Sequence, residues 1–325
     1  MTQSVLSVEG LSVSLPTDSG LAPIVRDLSF KLPKGATLGI VGESGCGKSM
    51  TALAIMRLLP DGAVTSGRVT LDGVDLQSLS ESEMCSVRGA RIGMVFQEPM
   101  TALNPAHPVG HQVAEGLRLH RGLSVRAAME EAARLLDLVG IPKARARFGD
   151  YPHQFSGGQR QRVVIAIALA CRPDLLIADE PTTALDATVQ LQILELLERL
   201  VADLGMSLIV ISHDLGVIGR LCDQVMVMYA GQAVELGTAA AVFDAPSHPY
   251  TRGLFGALPE AHLDAGGHLY SIPGIVPSPL ALPAGCKFSA RCDLAVPACR
   301  EAEPPLLAGR LGQQARCIRV EEFAA

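Results

Sequence analysis

The sequence predicts an α/β fold built around one glycine-rich loop. A glycine-rich loop at residues 42–49 lies between a short apolar run and a helix, and strand–helix–strand alternation follows residue 157. A helical stretch interrupts this order, and the chain becomes rich in Pro, Gly and Cys beyond residue 245. We therefore expect an α/β core carrying an N-terminal antiparallel β-subdomain, a helical insertion and a small C-terminal module.

Composition limits the class of protein. The chain has 325 residues, of which 48% are hydrophobic and 18% charged, and its formal net charge is −6. Such a chain can bury a large core, and its acidic balance disfavours a general nucleic-acid binder. We recognise no signal peptide and no apolar run near the ~18 residues of a membrane span. A cytosolic protein that docks on a membrane protein is expected.

The N-terminal region alternates apolar runs with turns. Residues 5–15 and 24–32 are predicted antiparallel strands, and residues 36–41 form the buried strand that enters the glycine-rich loop. Further strands are predicted at 67–73 and at 91–96, the latter ending at Gln97.

The loop fits the phosphate-binding pattern G-x-x-x-x-G-K-[ST] at every fixed position. Its glycines let backbone N–H groups turn toward phosphate oxygens, and the following helix adds its positive N-terminal end. Lys48 is expected to reach the β- and γ-phosphates and Ser49 to ligate Mg²⁺, while Cys46 is interpreted as a small neutral residue. A chance glycine-rich turn is the alternative. The predicted nucleotide-binding residues are Gly42, Glu43, Ser44, Gly45, Cys46, Gly47, Lys48, Ser49, Met50 and Asp179.

The middle of the chain changes character. Apolar residues recur at helical spacing between residues 99 and 155, with Ser124 as a helix cap, which predicts a helical insertion. Beyond it, the predicted elements are strands at 175–178, 207–212 and 223–229 and a helix that Asp186 caps and Gly205 ends.

Two acids follow the apolar run at 175–178. In a phosphate-loop fold Asp179 is expected to hold the Mg²⁺ shell, and Glu180 to polarise the water that attacks the γ-phosphate. The alternative is an ordinary strand end that meets solvent.

A second anion-binding pattern starts the helix predicted at 160–171. It consists of Ser156, Gly157, Gly158 and Gln159. A chain that binds one nucleotide needs one such helix end. The second therefore suggests that two ATPases meet head to tail, each offering this end to the other's γ-phosphate. A simple loop with a helix cap is the alternative.

In this order, the features resemble the ATPase subunit of an ATP-binding cassette (ABC) transporter over about residues 5–245. The resemblance implies a P-loop NTPase (RecA-like) core and ATP hydrolysis. It identifies residues 42–49 as the Walker A loop, Gln97 as the Q-loop, residues 156–159 as the signature, Asp179 and Glu180 as Walker B with its catalytic acid, residues 184–186 as the D-loop with Asp186, and His213 as the switch histidine.

The resemblance also implies roles for two of these residues. Gln97 is expected to ligate Mg²⁺ together with Ser49 and Asp179, to sense Mg²⁺ and the γ-phosphate, and to move the helical insertion at about 98–160. His213 is expected to contact the γ-phosphate, although a buried histidine satisfied by backbone is the alternative.

The sequence departs from the family at the adenine contact, because the family usually stacks adenine on an aromatic residue. Residues 1–29 contain no Phe, Tyr or Trp, and Leu15 stands near the expected place.

Further stretches resemble one branch of the family, the dipeptide and oligopeptide (also nickel) importers. They are residues 181–190, 104–105, 248–252 and 272–274, and Pro277. Such importers usually carry two different ATPases, and this chain is more similar to the first. We divide it into an ATPase domain at 1–245 and a C-terminal module at 246–325.

Four of the eight cysteines, Cys286, Cys292, Cys299 and Cys317, lie in the C-terminal module, separated by five, six and seventeen residues. Four thiolates in a cytosolic protein suggest a metal before disulfides. The resemblance implies a 4Fe–4S cluster. A Zn²⁺ site and reduced structural cysteines are alternatives, and the absence of a C-x-x-C pair disfavours an ordinary zinc ribbon.

The resemblance implies an ATPase that powers peptide import from the cytoplasmic face of the inner membrane, as a peripheral subunit. Its implied partners are a second, homologous ABC ATPase, two membrane permeases and an extracytoplasmic solute-binding protein, and we expect no nucleic acid. Uptake of nickel or another small solute is one alternative. A non-transport ABC ATPase, a non-enzymatic nucleotide-binding regulator and an exporter are the others.

Overall fold

A computed structural model describes residues 3–183, 185–257 and 271–323. In chain order, the strands are β1 (Ser4–Thr17), β2 (Gly20–Pro33), β3 (Thr37–Val41), β4 (Val64–Leu71), β5 (Val74–Asp75), β6 (Ile92–Val95), β7 (Leu175–Asp179), β8 (Ser207–Ile211), β9 (Gln224–Tyr229), β10 (Gln232–Thr238), β11 (Leu307–Ala308) and β12 (Gln314–Ala315). The helices are α1 (Lys48–Met56), α2 (Glu81–Val87), α3 (Pro99–Ala102), α4 (Val109–Arg121), α5 (Val125–Leu138), α6 (Ala144–Arg147), α7 (Gly157–Leu169), α8 (Ala187–Leu204), α9 (Leu215–Leu221), α10 (Ala239–Asp244), α11 (Pro249–Gly256) and α12 (Ala298–Glu301).

The described residues divide into two compact units. The first holds those within 3–6, 32–37 and 70–211, and the second those within 7–31, 38–69 and 212–323. Within the described ranges, every helix falls short of the length and apolar character that a bilayer crossing requires.

The first unit contains three parallel strands, β6, β7 and β8. Ile92 lies opposite Leu175, and Leu175 lies opposite Ser207. All residues of β7 and β8 are buried, as expected for parallel strands that are covered on both faces. Because β7 ends at Asp179, Glu180 emerges at the carboxyl edge of these strands, where α/β sheets bind their ligands.

The predicted helical insertion is also in the first unit. Helices α4 and α5 pack against each other and against α7, and Ala132 and Leu136 of α5 are buried. The Ser124 hydroxyl caps α5 by accepting a hydrogen bond from the N–H of Ala127. Val125, an apolar residue, is 52% exposed. As the first residue of α5, it projects beyond the packed part of the helix.

The antiparallel β-subdomain is confirmed. In the second unit β2, β1 and β4 lie side by side in that order. In the first unit Thr70 and Leu71, at the end of β4, pair antiparallel with β5. Gly67 has φ 93°, and a Cβ there would lie 2.4 Å from the carbonyl oxygen of Gly10. Glycine is therefore required where these backbones approach each other.

The second unit also contains β3 and strands that the sequence did not predict. Strand β3 pairs parallel with β9, which pairs antiparallel with β10, and β10 and β11 both pair with β12. The turn from β9 to β10 consists of Ala230 and Gly231, with φ 45° and 84°. A two-residue hairpin turn with two positive φ angles usually carries Asn-Gly or Asp-Gly. Alanine weakens that signal, which explains why β10 was missed.

Strand β10 carries a buried acid. Glu235 is 0% exposed, and its carboxylate accepts hydrogen bonds from the backbone N–H groups of Ser247 (2.7 Å) and His248 (3.0 Å). Burial raises the pKa of this carboxyl from 4.5 to about 7, against the opposing effect of these hydrogen bonds.

Glu235 is expected to make the free energy of unfolding decrease as pH rises from about 4.5 to about 7. In this window the folded state keeps a proton that the unfolded state has lost, so rising pH favours unfolding, by up to about 3 kcal/mol. Above both pKa values the contribution is constant. Urea unfolding of wild type and Glu235→Gln across this range measures it. The wild type should lose stability relative to the variant as pH rises, and a constant difference would contradict the prediction.

Candidate functional site

The glycines of the phosphate loop occupy positions that other residues cannot. Gly42 has φ 151° and Gly47 has φ 103°. A Cβ on Gly42 would lie 2.2 Å from the carbonyl oxygen of Met228, and one on Gly47 would lie 2.8 Å from that of Ile24. The loop backbone is thus pressed against its neighbours and fixed in shape, as a backbone cradle for phosphate requires.

Lys48 begins α1 and lies inside the loop. It is 6% exposed, and its ammonium donates hydrogen bonds to the carbonyl oxygens of Gly42 (2.7 Å) and Glu43 (3.1 Å). The next residue, Ser49, is half-buried in the first turn of α1. Burial raises the pKa of the Cys46 thiol, so the thiol stays protonated at neutral pH. This state supports the interpretation of Cys46 as a small neutral residue.

Sequence reasoning missed two residues that hold the loop at Glu43. The backbone N–H of Glu43 donates to the hydroxyl of Tyr250 (2.8 Å), and the guanidinium of Arg291 binds its carboxylate (2.8 and 3.0 Å). Tyr250 lies in the 248–252 stretch that identified the branch of the family, and Arg291 directly precedes Cys292. Neither the 248–252 stretch nor the cysteine spacing indicates by itself a contact with the phosphate loop.

The structure brings Gln97 and Glu180 together in the first unit. The amide nitrogen of Gln97 donates to Glu180 Oε2 at 3.0 Å, and the hydroxyl of Thr183 donates to the same oxygen at 2.8 Å. Glu180 adopts φ 47°, a rare conformation for a residue other than glycine. Asp179 precedes it and is 5% exposed. The carboxylate of Glu180 is thus oriented by two hydrogen bonds, and Thr183 is a further residue that sequence reasoning missed.

The signature residues form the exposed start of α7. Ser156 caps the helix by accepting from the N–H of Gln159 (3.4 Å), and the side chain of Gln159 accepts from the N–H of Ser156 (3.3 Å). The helix cap of the alternative interpretation is therefore present. Ser156 and Gly157 are nevertheless exposed, whereas Gly158 is buried. A Cβ added at Gly158 would lie 2.4 Å from a methyl carbon of Val189.

The remaining predicted residues follow β7 and β8. Asp186 caps α8 by accepting from the N–H of Val189 at 2.9 Å. Ala184, which begins the D-loop stretch, lies outside the described residues. His213 is exposed, so the alternative of a buried histidine satisfied by backbone is wrong.

The four C-terminal cysteines border one cavity of about 20 Å³, which is room for a single water. Burial raises the pKa of the thiols of Cys286, Cys292 and Cys317, the last to about 11, and charge on the neighbouring thiols of the set raises each further. Among the described residues, no three His, Cys, Asp or Glu side chains are arranged to hold one metal ion. The thiols converge on one cavity without closing around a single point.

An open groove of about 590 Å³ runs along α5 and α6 in the helical insertion. Its apolar lining includes Val125, Met129, Ala133 and Phe148, with Arg126 and Arg145 beside them. The exposed Val125 therefore forms part of a surface that can receive an apolar segment.

The chain matches two families in sequence. Residues 25–183 match the family described as ABC transporter, and residues 234–299 match the oligopeptide/dipeptide transporter C-terminal region. It is 49% identical over 321 residues to the oligopeptide transport ATP-binding protein OppD of Haemophilus influenzae, covering 98% of each chain. It is 51% identical over 304 residues to the dipeptide transport ATP-binding protein DppD of Bacillus subtilis, covering 93% of this chain and 90% of that protein.

Solved structures with the same fold include the ATP-binding cassette MJ0796, in a dimeric post-hydrolysis state bound to ADP and phosphate. That cassette has a TM-score of 0.65 and 26% identity, and the match covers 72% of this chain and 98% of the cassette. CbiO1 of Clostridium perfringens, part of the ABC transporter complex CbiONQ, has a TM-score of 0.64 and 28% identity, covering 74% and 91%.

Proposed function

Because the chain belongs to the family of oligopeptide and dipeptide transport ATP-binding proteins of ABC transporters, we propose that it forms half of an ATPase pair that drives two membrane permeases. It hydrolyses ATP to ADP and phosphate, and this hydrolysis powers peptide import. The observation that carries this conclusion is similarity over nearly the whole chain, including the C-terminal region of peptide transporters.

The function is tested by reconstituting the chain with its permeases and a solute-binding protein in vesicles. We expect ATP-dependent uptake of labelled peptide. Uptake of Ni²⁺ without peptide would instead favour the nickel alternative, and ATPase activity without any uptake would favour a non-transport ATPase.

In the proposed nucleotide site, backbone N–H groups of residues 42–49 bind the phosphates and Lys48 neutralises their charge. Ser49, Asp179 and Gln97 would hold Mg²⁺. The fit is supported by donor chemistry, because hydroxyl, carboxylate and amide oxygens are ligands that Mg²⁺ prefers. The ion neutralises charge on the β- and γ-phosphates when bound.

For hydrolysis, Glu180 is the proposed base that accepts a proton from the attacking water. Its support is the pair of hydrogen bonds from Gln97 and Thr183, which hold the carboxylate in one orientation. His213 is the proposed contact to the γ-phosphate, supported by its exposure and by its position just after β8.

In the proposed pair, Ser156, Gly157, Gly158 and Gln159 bind the partner's γ-phosphate. The exposure of Ser156 and Gly157 supports this role, because an anion on a second chain can reach them. The dimeric state of the matched cassette MJ0796 supports the pairing. The partner is a homologous second ATPase, and Asp186 lies at the proposed contact with it.

We place the permease contact on the helical insertion at about 98–160. The groove along α5 and α6 supports this placement because its apolar floor is flanked by charged side chains, as in protein interfaces. The complex would hold the chain as a peripheral subunit at the cytoplasmic face of the inner membrane, with an extracytoplasmic binding protein on the other side and no nucleic acid. Residues 1–245 and 246–325 remain the proposed division into domains.

The four C-terminal cysteines are the proposed ligands of a 4Fe–4S cluster. Four thiols on one cavity fit the ligand set, and the charge of a metal would stabilise thiolates that lie so near each other. A single Zn²⁺ needs four sulfurs within about 2.3 Å of one point, whereas a cluster takes each sulfur on a different iron. The four-cysteine ligand set and the branch of the family support the cluster, with Zn²⁺ or reduced structural cysteines as the alternatives.

Protein purified without oxygen is expected to contain about four iron atoms and four acid-labile sulfides per chain. Cys299→Ser should lose most of this iron, because it removes one of four ligands. Cys85→Ser is the matched control, since Cys85 is exposed on α2 and should leave the iron unchanged. One zinc per chain without iron would support the Zn²⁺ alternative, and protein without either metal would support structural cysteines.

A further inference from the structure

The first residue after Gly42 in the phosphate loop is held by side chains from far along the chain. The guanidinium of Arg291 binds the Glu43 carboxylate with two parallel hydrogen bonds, Nη1 to Oε2 at 2.8 Å and Nη2 to Oε1 at 3.0 Å. The backbone N–H of Glu43 donates to the Tyr250 hydroxyl. Side chain and backbone of this loop residue are thus both anchored to the C-terminal part of the chain.

The side chain of Arg291 is also held by contacts other than its ion pair with Glu43. Its Nε donates to the carbonyl oxygen of Pro273 at 2.8 Å, and its guanidinium lies 5.7 and 5.9 Å from the ring centres of Tyr229 and Phe288. The side chain of Arg291 is 6% exposed and that of Glu43 is 27% exposed. The rigid partner is therefore the arginine, and the entropy cost of ordering the pair falls mainly on Glu43.

The charge of Glu43 is unfavourable in its location. A phosphate loop binds a polyanion, and a carboxylate beside it repels that anion through a partly buried, low-dielectric medium. The bidentate pair with Arg291 neutralises this carboxylate. The positive charge of Lys48 then determines the net charge of the loop. The contact of Arg291 thus acts on electrostatics at the loop as well as on its shape.

We propose that Arg291 is a positioning residue for nucleotide binding, which neutralises Glu43 and holds the first turn of the phosphate loop. The C-terminal module thereby contributes directly to ATP affinity. This inference rests on the proposed nucleotide role of the loop and does not depend on what the cysteines bind. ATP carries one more negative charge than ADP, so loss of Arg291 weakens ATP binding more than ADP binding.

The test measures the affinity of fluorescent ATP and ADP analogues, with Mg²⁺, for four variants and wild type. Arg291→Gln should bind ATP about tenfold more weakly, equivalent to about 1.4 kcal/mol, and ADP less so. The double variant Glu43→Gln/Arg291→Gln should recover most of the loss, since the repelling charge is gone, and Glu43→Gln alone supplies the single-variant reference of this double-mutant cycle. Arg291→Lys keeps the positive charge and should retain most of the affinity, which preserves the test if Arg291→Gln folds poorly.

Arg319→Gln is the matched control. Arg319 borders the cysteine cavity, donates to the carbonyl oxygen of Leu294 and forms an ion pair with Glu322. It should leave ATP affinity unchanged. An Arg291→Gln variant with wild-type affinity, or one whose loss persists fully in the double variant, would overturn the proposal. A wild-type chain that binds no ATP would instead overturn the proposed nucleotide function.

Discussion

Replacing Glu180 with Gln is expected to reduce ATP turnover by about 10²–10⁴-fold while ATP binding is retained, the range that general-base catalysis supplies. The glutamine amide keeps the size of the side chain but cannot accept a proton from water. Gln97 and Thr183 donate to Glu180 Oε2, and these contacts orient the carboxylate. Phosphate release measures turnover, and retention of radiolabelled ATP measures binding.

Thr183→Val gives a graded comparison with this variant. It keeps the shape of the side chain and removes the hydrogen bond from the Thr183 hydroxyl to the carboxylate. Because Gln97 still donates to Glu180, we expect ATP turnover of Thr183→Val to fall about tenfold, the equivalent of one hydrogen bond to a charged group.

Turnover of Glu180→Gln within a few-fold of wild type would refute the assignment of Glu180 as the base.

Replacing Gly157 with Asp is the second change with a large expected effect. An aspartate on the exposed start of α7 places a negative charge where the partner's γ-phosphate is proposed to bind, and like charges at an interface cost several kcal/mol. The transporter's ATPase activity should fall by about 10²-fold or more. The isolated chain should still bind ATP with wild-type affinity, because its own phosphate loop is unchanged.

The structure explains why Gly157 is the better position for this test. A Cβ on Gly157 meets only ordinary contact, 3.6 Å from a methyl carbon of Leu185, so the fold tolerates a side chain. At Gly158 the corresponding distance to Val189 is 2.4 Å, and Gly158→Ala should also lower the melting temperature. Assembled transporter is required, and normal activity of Gly157→Asp there would contradict the shared site.

Much of the fold could be predicted because its signals are local. Strand β7 is apolar throughout since both its faces are covered, and Asp186 and Gly205 stand at the two ends of α8, where a side-chain cap and a left-handed residue are needed. Strand β10 was missed since its turn lacks the usual Asn-Gly. The short pair β11 and β12 carries almost no pattern, because two-residue strands have no periodicity to detect.

The candidate site divides in the same way. Spacing alone placed Lys48 inside its loop and Glu180 at the strand end, because the motif and the backbone it specifies are continuous in sequence. The partners of these residues could not be predicted. Thr183 is three residues from Glu180, but Gln97 is 83 residues from it, and no local pattern records which side chains meet across that distance.

By itself, the sequence determined the phosphate loop, the strand that ends in two acids, the capped signature helix and the family to which they point. Each depends on glycine, cap and apolar preferences that act over a few neighbouring residues. Only the tertiary structure decided that Arg291 binds Glu43 across 248 residues and that four scattered thiols share one cavity. Such contacts are set by how distant segments pack, because hydrogen bonds and charge pairs depend on distance in space and not on distance along the chain.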